Sequence, residues 1–123
     1  MDGFQFRDFL EHSHWQRKPP SIDIDEALRF ADQGRLAEAA KHCEEFIKAH
    51  GPSAKAFYLL GLVRDAAGVS LEAVLFYRKA LYLDPHHHEA LIQLALLLDK
   101  QGDKAGAKVL NERATRIALK GGN

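Results

Sequence analysis

The residues whose chemistry stands out first are three adjacent imidazoles, His86-His87-His88. A divalent metal needs ligands that converge, and on a helix side chains converge at spacings of three or four, whereas neighbours diverge. Glu89 follows directly and adds no suitably spaced ligand, and His12, His14, His42 and His50 form no ligand pattern. The run reads as a turn between structural units, with no metal expected there. Cys43, the one cysteine, is the other candidate for chemistry. A reactive thiolate wants a helix N-terminus or a cationic partner. Cys43 falls in the middle of a helical pattern and is expected to be a packed core thiol. Dinucleotide-type G-x-G-x-x-G, P-loop and serine-elbow motifs are absent from the sequence. The expectation is therefore a chain with no catalytic, cofactor-binding or metal residues of its own.

The elements around these residues follow a period. Gly34, Gly68 and Gly102 are 34 residues apart, and so are Ala39, Ala73 and Ala107. Two residue types held in phase over three copies make an internal repeat. In the middle copy, 54–87, Phe57, Leu60, Gly61, Gly68, Ala73, Tyr77, Ala80 and Pro85 follow the order aromatic-x2-Leu-Gly, Ala-x3-aromatic, then Pro, with Arg64 where a tyrosine is usual. That pattern resembles the tetratricopeptide repeat (TPR), two antiparallel helices per unit that stack on their neighbours to bury a shared core. The third copy, 88–121, keeps Leu91, Leu94, Ala95, Leu98, Gly102, Ala107 and Ala114 but has Asn111 in the aromatic slot. The first, 20–53, keeps Ala27, Phe30, Gly34 and Ala39, with Cys43 in the aromatic slot and Phe46 in a small one.

The fold predicted is an all-α right-handed solenoid of three helix-turn-helix repeats over residues 21–123, without strands. Helices are predicted at 22–33, 36–49, 54–67, 71–83, 87–101 and 104–119. Ser53, Ser70 and Asp103 are read as N-caps, and the periodic glycines as helix ends with φ > 0. Val109, Leu110 and Ile117 of the uncapped last helix are expected to be partly exposed, as a surface for self-association.

Residues 1–20 differ from the rest. Phe4, Phe6, Phe9, Leu10 and Trp15 crowd into a segment ending at Pro19-Pro20. It reads either as a linker or as a short helix docked on the repeats, of the same protomer or a neighbour. Seventeen basic residues balance seventeen acidic ones, which argues against a nucleic-acid or anionic-membrane surface. No apolar run reaches the roughly 18–20 residues of a membrane span, no secretory signal is visible, and a single cysteine suits a reducing, cytoplasmic setting.

Function is left to a surface. What the TPR resemblance implies is a concave groove lined by the first helix of each pair. Carried onto this chain, its floor is Ile24 and Leu28, Tyr58 and Leu62, Ile92 and Leu96, with Asp32, Asp65 and Asp99 towards one edge and Lys55, Glu89 and Lys100 around the rest. The TPRs that clamp a C-terminal carboxylate use asparagine and lysine here. The column Leu28, Leu62, Leu96 has no donors, so an amphipathic helix carrying some basic residues is the better fit.

The stretches "AFYLLGLVRDAAG" and "YRKALYLDPHHHEALIQLALLLDKQGD", with the closing A-x-x-x-N-E-R-A, resemble the C-terminal TPR region of chemotaxis-type (CheR-like) protein-glutamate methyltransferases, in particular the WspC type linked to surface sensing and biofilm control. The resemblance covers about residues 22–119. It implies an accessory module of an S-adenosylmethionine-dependent enzyme whose catalytic residues lie in a separate upstream domain. The implied partner is a chemoreceptor segment or that catalytic domain, with receptor methylation as the regulated output. A free-standing adaptor for secretion or pilus assembly, and a self-associating module, are the alternative expectations.

Overall fold

The computed structural model describes residues 23–121 as six α-helices with no strand among them. They are α1 (Ile24–Asp32), α2 (Leu36–His50), α3 (Ala54–Ala66), α4 (Ser70–Leu83), α5 (His88–Lys100) and α6 (Lys104–Gly121). The expectations for residues 1–20 lie outside the described residues. Helices pair as α1–α2, α3–α4 and α5–α6, and each pair packs on the next through α2–α3 and α4–α5.

The three turns inside the pairs are built alike, and this gives the 34-residue period its geometry. Gly34, Gly68 and Gly102 have φ of +77°, +81° and +92°. Their N–H groups donate to the carbonyls of Ala31, Asp65 and Asp99, and the next residues, Arg35, Val69 and Asp103, donate to Phe30, Arg64 and Leu98 at 2.8–2.9 Å. This paired arrangement satisfies carbonyls that a helix end otherwise leaves orphaned.

The caps are less regular. Ser53 accepts from the N–H of Ala56 and Asp103 from that of Gly106, as predicted. Ser70 is instead the first residue of α4, behind Val69, which makes no side-chain cap. Val69 is fixed by the glycine turn, so the helix starts without a hydroxyl acceptor. Asp23 caps α1, and His87 caps α5 through Nδ1, which accepts from Ala90 N–H at 3.1 Å.

The core forms two clusters that meet in the middle pair. One joins Ala27, Ala39, Ala40 and Cys43 to Leu59, Leu60 and Val63 of α3. The other joins Ala73 and Tyr77 of α4 to Leu91, Leu94, Ala95, Leu97, Leu98, Ala107, Leu110 and Ala114. Cys43 is fully buried, and burial, with Glu44 nearby, pushes its thiol up to about 12. It is a core side chain, as its place in the pattern required. Leu110 is buried, contrary to expectation, because it joins the cluster shared with α5; Val109 is exposed and Ile117 half-buried.

Gly61 explains why small residues recur among large ones. A methyl group there would lie 2.5 Å from Cδ1 and Cε1 of Tyr77. The ring is fully buried and its hydroxyl is held by Asp65 at 3.1 Å, so it cannot easily move. Gly61→Ala should therefore destabilise the chain by about 1–3 kcal/mol through overpacking. Alanine's helix-propensity advantage, roughly 1 kcal/mol, acts in the opposite direction. Urea unfolding of the two proteins measures the balance, and a stabilised variant would mean that the ring gives way.

A candidate partner-binding groove

The eight residues assigned to a groove lie on α1, α3 and α5, but their surroundings differ. Leu28 and Leu96, two periods apart, are open to solvent at 37% and 53% exposure. Ile24, Tyr58, Leu62 and Ile92 are half-buried. Ile24 packs against the first core cluster and Ile92 against the second, while Tyr58 and Leu62 pack against both. The central pair is thus partly structural, and the free apolar surface lies towards the ends of the column.

Tyr58 is further enclosed by the rings of Tyr77 and His87, with centroids 6.0 and 4.9 Å away. Burial, and secondarily Glu89, raises its hydroxyl above the usual range. His87 therefore does two jobs, as a cap for α5 and as a packing partner for α3. Its capping role needs an Nδ1 without a proton.

Two of the three acids assigned to the edge are already engaged, and Asp32 is exposed. Asp65 accepts from the buried hydroxyl of Tyr77, whose ionisation is pushed well above normal by burial and then by this carboxylate. Asp99 pairs with Lys104 at 2.8 Å. Lys55 reaches across from α3 to Asp25 of α1 at 2.8 Å, holding that carboxyl below its ordinary range. Arg64, in place of the usual tyrosine, lies 2.9 Å from Glu72. Among the described residues no three His, Cys, Asp or Glu side chains converge as a metal site.

At the far end, a cleft of about 680 Å³ lies between α5 and α6, over Ala95, Leu96 and Ala107 and rimmed by Asp99, Lys104, Lys108, Asn111 and Arg116. One repeat earlier the equivalent surface holds Gly61, Ala73 and Tyr77 and is covered by the following pair. Asn111 takes Tyr77's place on the open face, so a polar side chain stands where an aromatic would otherwise be uncovered. Leu96 belongs to both the column and this cleft.

Sequence reasoning missed an apolar stripe on α4: Leu71, Leu75 and Tyr82 are 78%, 60% and 86% exposed. A signal was present in the first repeat, where Lys41 and Lys48 stand at the positions of Leu75 and Tyr82. Lysines there mark an outward face. The position of Leu71 is held by Ala37, which gives no such mark.

The sequence of residues 54–87 matches the family model for the tetratricopeptide repeat. The middle helix pair is a tetratricopeptide repeat. Over 103 residues it is 52% identical to a probable biofilm formation methyltransferase WspC of Pseudomonas aeruginosa, a match covering 84% of this chain and 24% of the relative. Over 106 residues it is 44% identical to the WspC of Pseudomonas putida, covering 86% and again 24%. The chain thus spans about a quarter of the length of these curated relatives. Among solved structures it is similar to PcrH in complex with the chaperone-binding region of PopB, with a TM-score of 0.73, 19% identity, and coverage of 98% of this chain and 88% of that one. That likeness supports the helical-repeat architecture. No described helix is long and apolar enough to cross a membrane.

His87→Ala should lower stability by about 0.5–2 kcal/mol, the usual range for a lost cap. His86→Ala and His88→Ala should change it little. Thermal melts with chelator and with zinc distinguish this from metal binding. A zinc-dependent rise in melting temperature that needs all three histidines would overturn the structural assignment.

Proposed function

We propose that this module docks an amphipathic helix of a protein partner against the apolar column of α1, α3 and α5. We infer that in a WspC-type enzyme the partner is a cytoplasmic chemoreceptor segment or the methyltransferase's own catalytic domain. The observation that carries the reading is the exposure of Leu28 and Leu96 at repeat-equivalent places. Neither residue is needed to fill a core cluster, and exposed leucines in register on the lining helices of a TPR array suit a helical ligand. Identity with WspC relatives over nearly the whole of the chain supports the choice of partner. The complex of PcrH with a segment of PopB supports protein-segment binding by this architecture. Methyl transfer from S-adenosylmethionine would be carried out by a domain outside this chain, and the repeats would position or restrain that domain relative to the receptor.

Leu96 is a better probe than Leu62, because Leu62 packs on both cores. A ligand side chain buried on Leu96 gains about 1.5–3 kcal/mol, which is roughly 10- to 150-fold in Kd. Leu96→Glu should therefore weaken binding by at least about tenfold while the far-UV spectrum and melting temperature stay near wild type. Salt should matter only mildly, since the contact is apolar. The assay is calorimetric titration of a catalytic domain or a receptor cytoplasmic fragment into wild type and variant. Equal affinity for the variant would place the partner on another face.

A further inference from the structure

Basic residues are concentrated on the last helix. α6 carries Lys104, Lys108, Arg113, Arg116 and Lys120 against the single acid Glu112, although the whole chain is balanced. Arg113, Arg116 and Lys120 fall at spacings of three and four and so share one face. They line a notch of about 460 Å³ with Pro85, His86, Ile117 and Gly121, and among the described residues no carboxylate lines it. Arg113 is fixed in place by donating to the Pro85 carbonyl at 3.1 Å. Arg116 and Lys120 have no hydrogen-bond or ion-pair partner among the described residues. Glu112, one turn before Arg116, lines the neighbouring cleft, whose rim Arg116 also reaches, but makes no ion pair with it. The C-terminal end of α6 attracts cations, yet its dipole amounts to only about half an elementary charge. Three cations exceed what that helix end requires.

We propose that this notch, between the 84–87 turn and the last turns of α6, is a docking site for an acidic peptide segment of a partner protein, separate from the apolar column. Spacing selects the ligand class. Arg113 and Lys120 are seven residues apart, about 10 Å along the helix. They are too far apart to close on one small anion, but they match carboxylates three residues apart on a polyproline II segment, which has three residues per turn, rises about 3.1 Å per residue and so sets both on one face. Arg113 and Arg116 offer planar forks suited to carboxylates, and Ile117 gives the floor an apolar patch for the peptide's stem. A chain without net charge, whose local excess of cations lies along one helix, is poorly matched to a long polyanion.

The test uses the full 123-residue chain and a proline-rich, fluorescein-labelled peptide of about 12 residues with glutamate at every third position, and its glutamine counterpart. The glutamate peptide should bind and the glutamine peptide should not. Affinity should fall several-fold between about 50 and 200 mM salt. Arg116→Glu with Lys120→Glu should weaken binding at least tenfold, and Leu28→Glu, at the other end of the column, should leave it unchanged. Arg116→Gln with Lys120→Gln, which adds no repulsion, guards against a folding defect and should weaken binding in the same direction. Equal binding of the two peptides, or full retention by both double variants, would overturn the proposal. So would complete displacement by inorganic phosphate, or tighter binding to a DNA duplex or an anionic vesicle. Loss of binding in Leu28→Glu would show that the notch is not a separate site.

Discussion

The contact on which the rest depends is the seating of the Tyr77 ring on the bare backbone of Gly61. It closes the middle helix pair, and it also presents Tyr77 to Leu91, Leu94 and Ala95 of the next pair. Because α3 fills the first core cluster and α4 the second, the two halves of the chain are joined through this one pair. The hydroxyl, which would be costly to bury unpaired, is satisfied by Asp65. An acid that looks like part of a binding edge thereby becomes part of the joint.

That dual use separates the structural from the accessible along the proposed groove. Tyr58 and Leu62 sit directly beside the joint and share their surface with both clusters, whereas Leu28 and Leu96 are released towards the ends. The third repeat shows the complementary adjustment. Its open face would have left an aromatic uncovered, and Asn111 stands there instead. The surface equivalent to the buried Tyr77 contact is thus polar-rimmed, and it adjoins Leu96.

Much of this was legible in the sequence because it rests on local rules. Gly34, Gly68 and Gly102 must adopt positive φ to end the first helices, and small residues at 39, 73 and 107 must allow close approach. The helix bounds followed from those positions. What was not legible depended on side chains meeting across helices. Nothing in the local pattern tells that Asp65 is claimed by Tyr77, twelve residues on, or that His86 and Arg113 share a notch. His87 was missed as a cap because a cap is ordinarily recognised by a short hydroxyl, carboxylate or amide side chain. The exposed stripe of α4 was missed because that helix is apolar on more than one face. Leu75 and Tyr82 could be sorted only against Lys41 and Lys48 of the first repeat, and Leu71, opposite Ala37 in the alignment of repeats, not even so.

A solenoid held by nearest-neighbour packing opens from its ends, and its middle unit is protected by both interfaces. Native-state hydrogen exchange, resolved by amide, tests this most directly. The amides of α3 and α4 should show the highest protection, with opening free energies near that of global unfolding. Those of α1 and the last turns of α6 should exchange through smaller openings. Uniform protection from α1 to α6, or an end pair outlasting the middle one, would contradict the view that the Gly61–Tyr77 joint is what the array is built around.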